Sequence, residues 1–265
     1  YKMSLLYSIE FTLKRLSGYS IFTDPLELFG TFLILIILGL TILIFIRLFK
    51  DYQKTSDQPT LSWALASLFL VFAIIFLIIE KLSYSSFGQP DFGRFVAMIA
   101  SSCVSASLIS FNNFAFHITY PKYRKPLDII VAILGISYVL VLIYANIRGP
   151  PYADIVEFEL VYDLSINFLI YPLLLPILSI GPLVFFYFSL KSREENRPNS
   201  LRALWLGIGL LCFGLGYIVE VAPFFPPILS IPLRGFFLAT AIIMYICFTM
   251  PEWFKNRIGW TSYNT

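Results

Sequence analysis

The stretch RFVAMIASSCVSASLISFNNFAFHITYP, residues 94–121, decides the fold. After Arg94 it carries no charged side chain and reaches its lone histidine, His117, only near the far end. A helix crosses the hydrocarbon core of a bilayer with about 20 predominantly apolar residues, so the run has the length of a membrane span. It is also unusually polar for one. Ser101, Ser105 and Asn112, at spacings of four and seven, share a helical face, and Ser102 and Asn113 fall on an adjacent face. An asparagine turned to lipid has no partner, so this helix is expected at the centre of a bundle, its polar groups spent on interhelical hydrogen bonds.

Composition supports the same class. The 265 residues are 58% hydrophobic and 13% charged, with a mean hydropathy of +0.80. That leaves too little polar surface to cover a soluble globule. Seven segments qualify as spans: 26–48, 61–82, 94–119, 127–147, 164–190, 201–222 and 229–250. Lipid satisfies no exposed backbone group, which favours helices. The expected fold is therefore all-α, a polytopic seven-transmembrane helix bundle over residues 26–250. Residues 1–25 form an expected external amphipathic segment, and residues 251–265 a short cytoplasmic tail. No secretory signal pattern is read in the first 25 residues.

Twelve of the 19 basic residues fall in the segments after spans one, three, five and seven and seven on the other side. Basic residues are retained on the cytoplasmic side, so the expected location is the cell membrane with the N-terminus outside and the C-terminus inside. The net charge of +3 is spread over short loops rather than one face, and no nucleic-acid partner is indicated. The lipid bilayer is the partner that composition implies.

Internal similarity adds a second layer. An acid and a base 14 residues apart recur as Glu80 with Arg94 and Glu220 with Arg234. Gly39 and Gly181, Lys50 and Lys191, and Trp63 and Trp205 keep offsets of 141–142, against 140 for the charged positions. This suggests a parallel 3+1+3 repeat with span four as connector. Both pairs should sit at the external interface as structural clamps between consecutive helices; the alternative is an external ligand site.

Other features narrow the chemistry. Pro172, Pro176 and Pro182 lie in span five and could open a cavity or serve as a joint. Gly207 and Gly214, and Gly209 and Gly216, form two stripes on span six that suit close approach on two sides. His117, placed near the cytoplasmic end beside the PKYRKP loop, reads as structural. Cys103, Cys212 and Cys247 indicate neither disulfides nor a metal site. Span seven has no lysine to hold retinal, and no P-loop, GxSxG, HExxH or paired-acid motif occurs. Neither an enzyme, a catalytic residue, a cofactor nor a metal is expected.

The segments WALASLFLVFAIIF (63–76), FNNFAFHITYPKYRK (111–125) and TMPEWFKNRIG (249–259) resemble the N-terminal seven-helix sensor region of microbial histidine kinases. The resemblance implies that a signal perceived in the bundle leaves through the final helix, with Pro251, Glu252 and Trp253 at the output. Residues 251–265 hold no kinase domain, which is compatible with a truncated chain, a stand-alone sensor with a separate partner, or a relative with another role. The resulting expectation is a receptor-like protein for a small or lipophilic ligand, signalling through a cytoplasmic partner. Its site would draw on Ser105, Asn112, Tyr171, Tyr217 and Glu220. The alternatives are a small-solute or lipid transporter and a non-catalytic subunit of a larger membrane complex.

Overall fold

The computed structural model describes residues 25–85, 87–156, 159–221 and 227–260. The expected N-terminal amphipathic segment, residues 1–24, lies outside them, as does the side chain of Glu220. Eight helices follow in order: α1 (Pro25–Thr55), α2 (Gln58–Ser85), α3 (Pro90–Thr119), α4 (Arg124–Arg148), α5 (Leu164–Lys191), α6 (Arg197–Val221), α7 (Pro227–Thr249) and α8 (Glu252–Ile258). Helices α1 to α6 are each long and apolar enough to cross a membrane. Helix α7 has 23 residues, about 35 Å at 1.5 Å per residue; with α8, which bends from it by 85°, it makes up a seventh candidate span. The chain is thus an all-α multi-pass membrane bundle.

The helices extend beyond the apolar segments because the ladder continues into water and headgroups once the hydrocarbon is crossed. At the end of α1, Arg47 and Asp51 pair one turn apart at 3.2 Å. Between α4 and α5 the chain forms an antiparallel hairpin, β1 (Ala153–Val156) with β2 (Glu159–Tyr162), in which Ala153 stands opposite Tyr162. No element between residues 147 and 164 is expected from the sequence. The end of the bundle that carries it is called here the hairpin end, and the opposite end, with the basic loops and α8, the basic end.

Consecutive helices pack side by side, α1 closes the ring against α7, and α3 also reaches α5. Half of the most apolar window of α3 is buried, against 22% for α1 and α4. The most polar helix is therefore central, and the two uniformly apolar ones face lipid. Helix α4 presents Ile129, Ile133, Ile136 and Leu140 outward.

The polar side chains of α3 fasten it to its neighbours. Ser107 donates to the Ala66 carbonyl of α2 at 2.8 Å, Ser105 to Gly135 of α4 at 3.0 Å and Asn112 to Ile177 of α5 at 3.0 Å. Toward the basic end, Asn113 donates to Asp128 at 2.7 Å and accepts from Ser62 at 2.7 Å, while Arg124 donates to Nδ1 of His117 at 2.6 Å. His117 thus has the hydrogen-bonded place its sequence position suggests.

The glycine stripes of α6 separate as their spacing requires. Gly207 and Gly214 lie against Phe186 and Leu178 of α5, and Gly209 and Gly216 against Ile243 and Phe236 of α7. Of the positions related by the repeat offset, the two tryptophans differ in environment. Trp63 is 1% exposed at the centre and Trp205 40% exposed at the surface.

Gly93 marks the closest approach in the ring: a Cβ there would stand 2.1 Å from the Tyr84 ring, whereas one on Gly235 would meet nothing within 4 Å. Gly93→Ala is expected to destabilise by about 1–3 kcal/mol, the usual cost of overpacking, and Gly235→Ala to leave the melting temperature near wild type. Thermal unfolding in detergent checks both. Asp163 caps α5, accepting from the backbone and hydroxyl of Ser165, and these bonds hold its carboxyl below the ordinary range. A lowered folded pKa means that the cap is at full strength above the unfolded value of about 4 and is lost as pH falls through the folded one. Asp163→Asn should flatten that acid-side loss in a melting series against pH.

Candidate functional site: an intramembrane cavity

Inside the ring, α1, α2, α3, α6 and α7 enclose a cavity of about 340 Å³, reached also by Tyr138 and Leu142 of α4 and by Leu160 and Tyr162 of the hairpin. That volume is in the range of small-molecule sites. Its existence follows from how the helices are fastened. The bonds of α3 to α4 and α5 draw these three together on one side. On the other, Ile37, Ile74 and Ala241 form only a small cluster between α1, α2 and α7.

At the basic end the floor is Trp63. Its indole packs edge-on to Phe111 and Phe114, with ring centres at 4.9 and 4.3 Å, and against Phe248 at 4.7 Å. Aromatic pairs in this range add about 0.5–1.5 kcal/mol each beyond the area they bury, so the floor is a rigid plug. Met244 of α7 and Ile44 of α1 complete it.

The hairpin end is polar. Glu80 and Arg234, 9% and 4% exposed, line the cavity together with Lys81 and Thr31. Three tyrosines accompany them. The hydroxyls of Tyr138 and Tyr217 bond at 2.6 Å, and Asn146 donates to the hydroxyl of Tyr162 at 3.0 Å. Burial raises the Tyr162 phenol above its ordinary range, so it stays a neutral hydroxyl at any physiological pH. Tyr217 lies parallel to Phe213, centres 6.1 Å apart, one turn deeper into the cavity.

The expected site residues are divided by the structure. Tyr217 lines the cavity. Ser105 does not: its hydroxyl is committed to Gly135, and Ser101, one turn earlier, takes the place on the wall. Asn112 faces a separate void of about 10 Å³ beside Pro182, with its amide held by Leu108 and Ile177. Tyr171 stands on α5, which contributes no residue to the large cavity. The three prolines of α5 are therefore set apart from the cavity that they could have opened.

The charged residues behave differently from one another. Glu80 and Arg234, read from sequence as members of two separate clamps, both line the cavity. Arg94 lies elsewhere, against Asp91 at 3.3 Å and beside Gly149. Lys81, Tyr138 and Tyr162 are cavity residues that the sequence reading passed over. For Lys81 the signal was available, since a lysine beside a glutamate in the last turns of an apolar helix is a polar pair inside a span. Among the described residues no group of three or more histidine, cysteine or acidic side chains could hold a metal.

The arrangement is an apolar channel with aromatics at one end and charges and hydroxyls at the other. The chain matches no protein-family model, no curated protein and no solved structure.

Asn112→Leu removes the bond that ties α3 to α5 and is expected to cost about 0.5–2 kcal/mol, the range for interhelical polar contacts in membranes. Ser101→Ala, on the cavity wall, should leave stability unchanged. Melting temperatures of the two variants distinguish a structural from a cavity-facing polar group.

Proposed function

We propose that the chain is a receptor-like membrane protein that takes a small lipophilic ligand into this cavity and passes its occupancy to a cytoplasmic partner through α7 and α8. The observation that carries the reading is that α7 is at once a cavity wall and the lead into α8. Phe237, Thr240, Ala241 and Met244 of α7 face the cavity. Just beyond, the chain turns at Met250, whose φ of 46° is unusual for a non-glycine residue, and runs into α8 at 85°. Helix α8 is seated rather than trailing. Phe254 and Ile258 are buried in the cluster that contains Trp63, and Arg202 lies over the rings of Phe248 and Trp260 at 5.8 and 5.9 Å. A shift of α7 around a ligand would therefore reach the α8 seat through one packed cluster, leaving Trp253, 57% exposed, for a partner.

The excess of basic residues at the end carrying α8 supports a cytoplasmic position for that end, with the hairpin end outside. The resemblance to the sensor region of histidine kinases supports the same direction of signal. A transporter would need the cavity to open at both ends in turn. The aromatic plug at Trp63 and the separation of the α5 prolines from the cavity favour the receptor reading over it.

The test uses Ala241→Phe, which fills the cavity from α7. Hydrogen exchange measured in nanodiscs should differ severalfold across residues 252–258 between this variant and wild type, with the ring helices protected equally in both. Identical exchange at α8 in the two folded proteins would contradict coupling from cavity to output.

A further inference from the structure

We infer that the natural occupant of the cavity is a single-chain amphiphile, lying along the bundle with its polar head beside Glu80 and Arg234 and the end of its hydrocarbon tail against Trp63; this rests on the reading of the cavity as a ligand site. Three features of the cavity carry the inference.

The first is shape. Lining residues run from Thr31 to Ile44 on α1 and from Ala97 to Phe111 on α3, each about 20 Å of helix, and from Trp63 to Glu80 on α2, about 25 Å at 1.5 Å per residue. A volume of about 340 Å³ along such a length is small, and it suits one hydrocarbon chain better than two lying side by side about 4 Å apart. The length also exceeds the roughly 15 Å half-thickness of a hydrocarbon core, which calls for a chain held more extended than in a leaflet.

The second is that the middle of the channel is apolar in effect as well as in composition. Three of its polar residues have spent their donors on backbone carbonyls. Thr41 bonds to Ile37 at 2.7 Å, Ser67 to Trp63 at 3.1 Å and Thr240 to Gly209 at 2.9 Å. A polar solute sliding past them would lose its hydration without replacement. A hydrocarbon tail loses nothing and gains about 25 cal/mol for each Å² removed from water.

The third is polarity at one end only. Every charged lining residue among those described, Glu80, Lys81 and Arg234, is at the hairpin end, near the paired hydroxyls of Tyr138 and Tyr217. The far end is closed by Trp63, Phe111 and Met244. A molecule with one polar head has a single favourable orientation in such a channel.

The test reads Trp63 alone, in the full chain carrying W205F, W253F and W260F, reconstituted in nanodiscs. Palmitic acid brominated at the end of its chain should cause a saturable loss of Trp63 emission. The isomer brominated beside the carboxyl should occupy the same site with much less loss. Unlabelled palmitic acid or palmityl alcohol should restore emission, the better competitor showing whether an acidic or a neutral head is preferred, and Ala241→Phe should abolish the effect. Equal quenching by both isomers, or restoration by a sterol or a diacyl phospholipid but not by the single-chain competitors, would overturn the single-chain assignment while leaving the lipophilic site standing. Absence of saturable quenching by either isomer, with no small-molecule adduct on the wild-type protein in native mass spectrometry, would overturn both. If the triple variant fails to fold, displacement of the native adduct from wild type by the same competitors separates the same outcomes: loss of the adduct to palmitic acid or palmityl alcohol supports the single-chain occupant, and loss only to a sterol or a diacyl phospholipid overturns it.

Discussion

The structure depends on one constraint: a helix carrying serines and asparagines inside hydrocarbon must find partners for them within the protein. An unsatisfied polar group in an apolar medium costs several kcal/mol, more than any single packing preference in the bundle. Helix α3 meets the constraint by bonding to α2 through Ser107, to α4 through Ser105 and to α5 through Asn112. These bonds fix which helices surround it and at what height. Helices α1 and α4, each with 22% of the apolar window buried, keep most of their surface on the outside of the bundle.

The cavity is a consequence of the same arrangement. Because the polar face of α3 is spent on α4 and α5, its remaining face looks into the ring with Ala97, Ser101, Val104 and Phe111. On the far side, α1 and α7 meet α2 through the few buried contacts of Ile37, Ile74 and Ala241. Space remains between these two sides. It is floored where aromatic residues of three helices converge on Trp63 and roofed where the hairpin turns Leu160 and Tyr162 inward. Charge is tolerated at the roof since the cost of an ionised side chain falls steeply from the bilayer centre toward the interface.

Much of this was legible in the sequence, for reasons that can be named. Membrane helices announce themselves by apolar length, and the spacing of Ser105 and Asn112 placed α3 at the centre because an asparagine in lipid has no alternative. The two glycine stripes of α6 foretold contacts on two sides, since small residues in membrane helices serve backbone approach. What could not be read is which polar residue belongs to a bond and which to a cavity. Ser101 and Ser105 lie one turn apart on one face, yet only the second has a carbonyl of α4 within reach. Tyr138 and Tyr162 escaped notice because each is a single aromatic in an apolar or alternating context, and their meeting with Tyr217 depends on the ring closing. The hairpin was hidden by its brevity, four residues a strand. Glu80 and Arg234 each have a partner 14 residues away in sequence, which suggests local clamps; that both also line one cavity follows only from the closing of the ring.

An oriented channel inside the helix ring is what the proposed ligand, its orientation and the route to α8 all require. An experimental density map of the protein in lipid nanodiscs tests for it most directly. Seven rods in ring order are expected, around an elongated, unbranched density running from the Trp63 indole to Glu80 and Arg234. Close-packed helices with no space between α3 and α7, or a ring in which α1 does not meet α7, would contradict it.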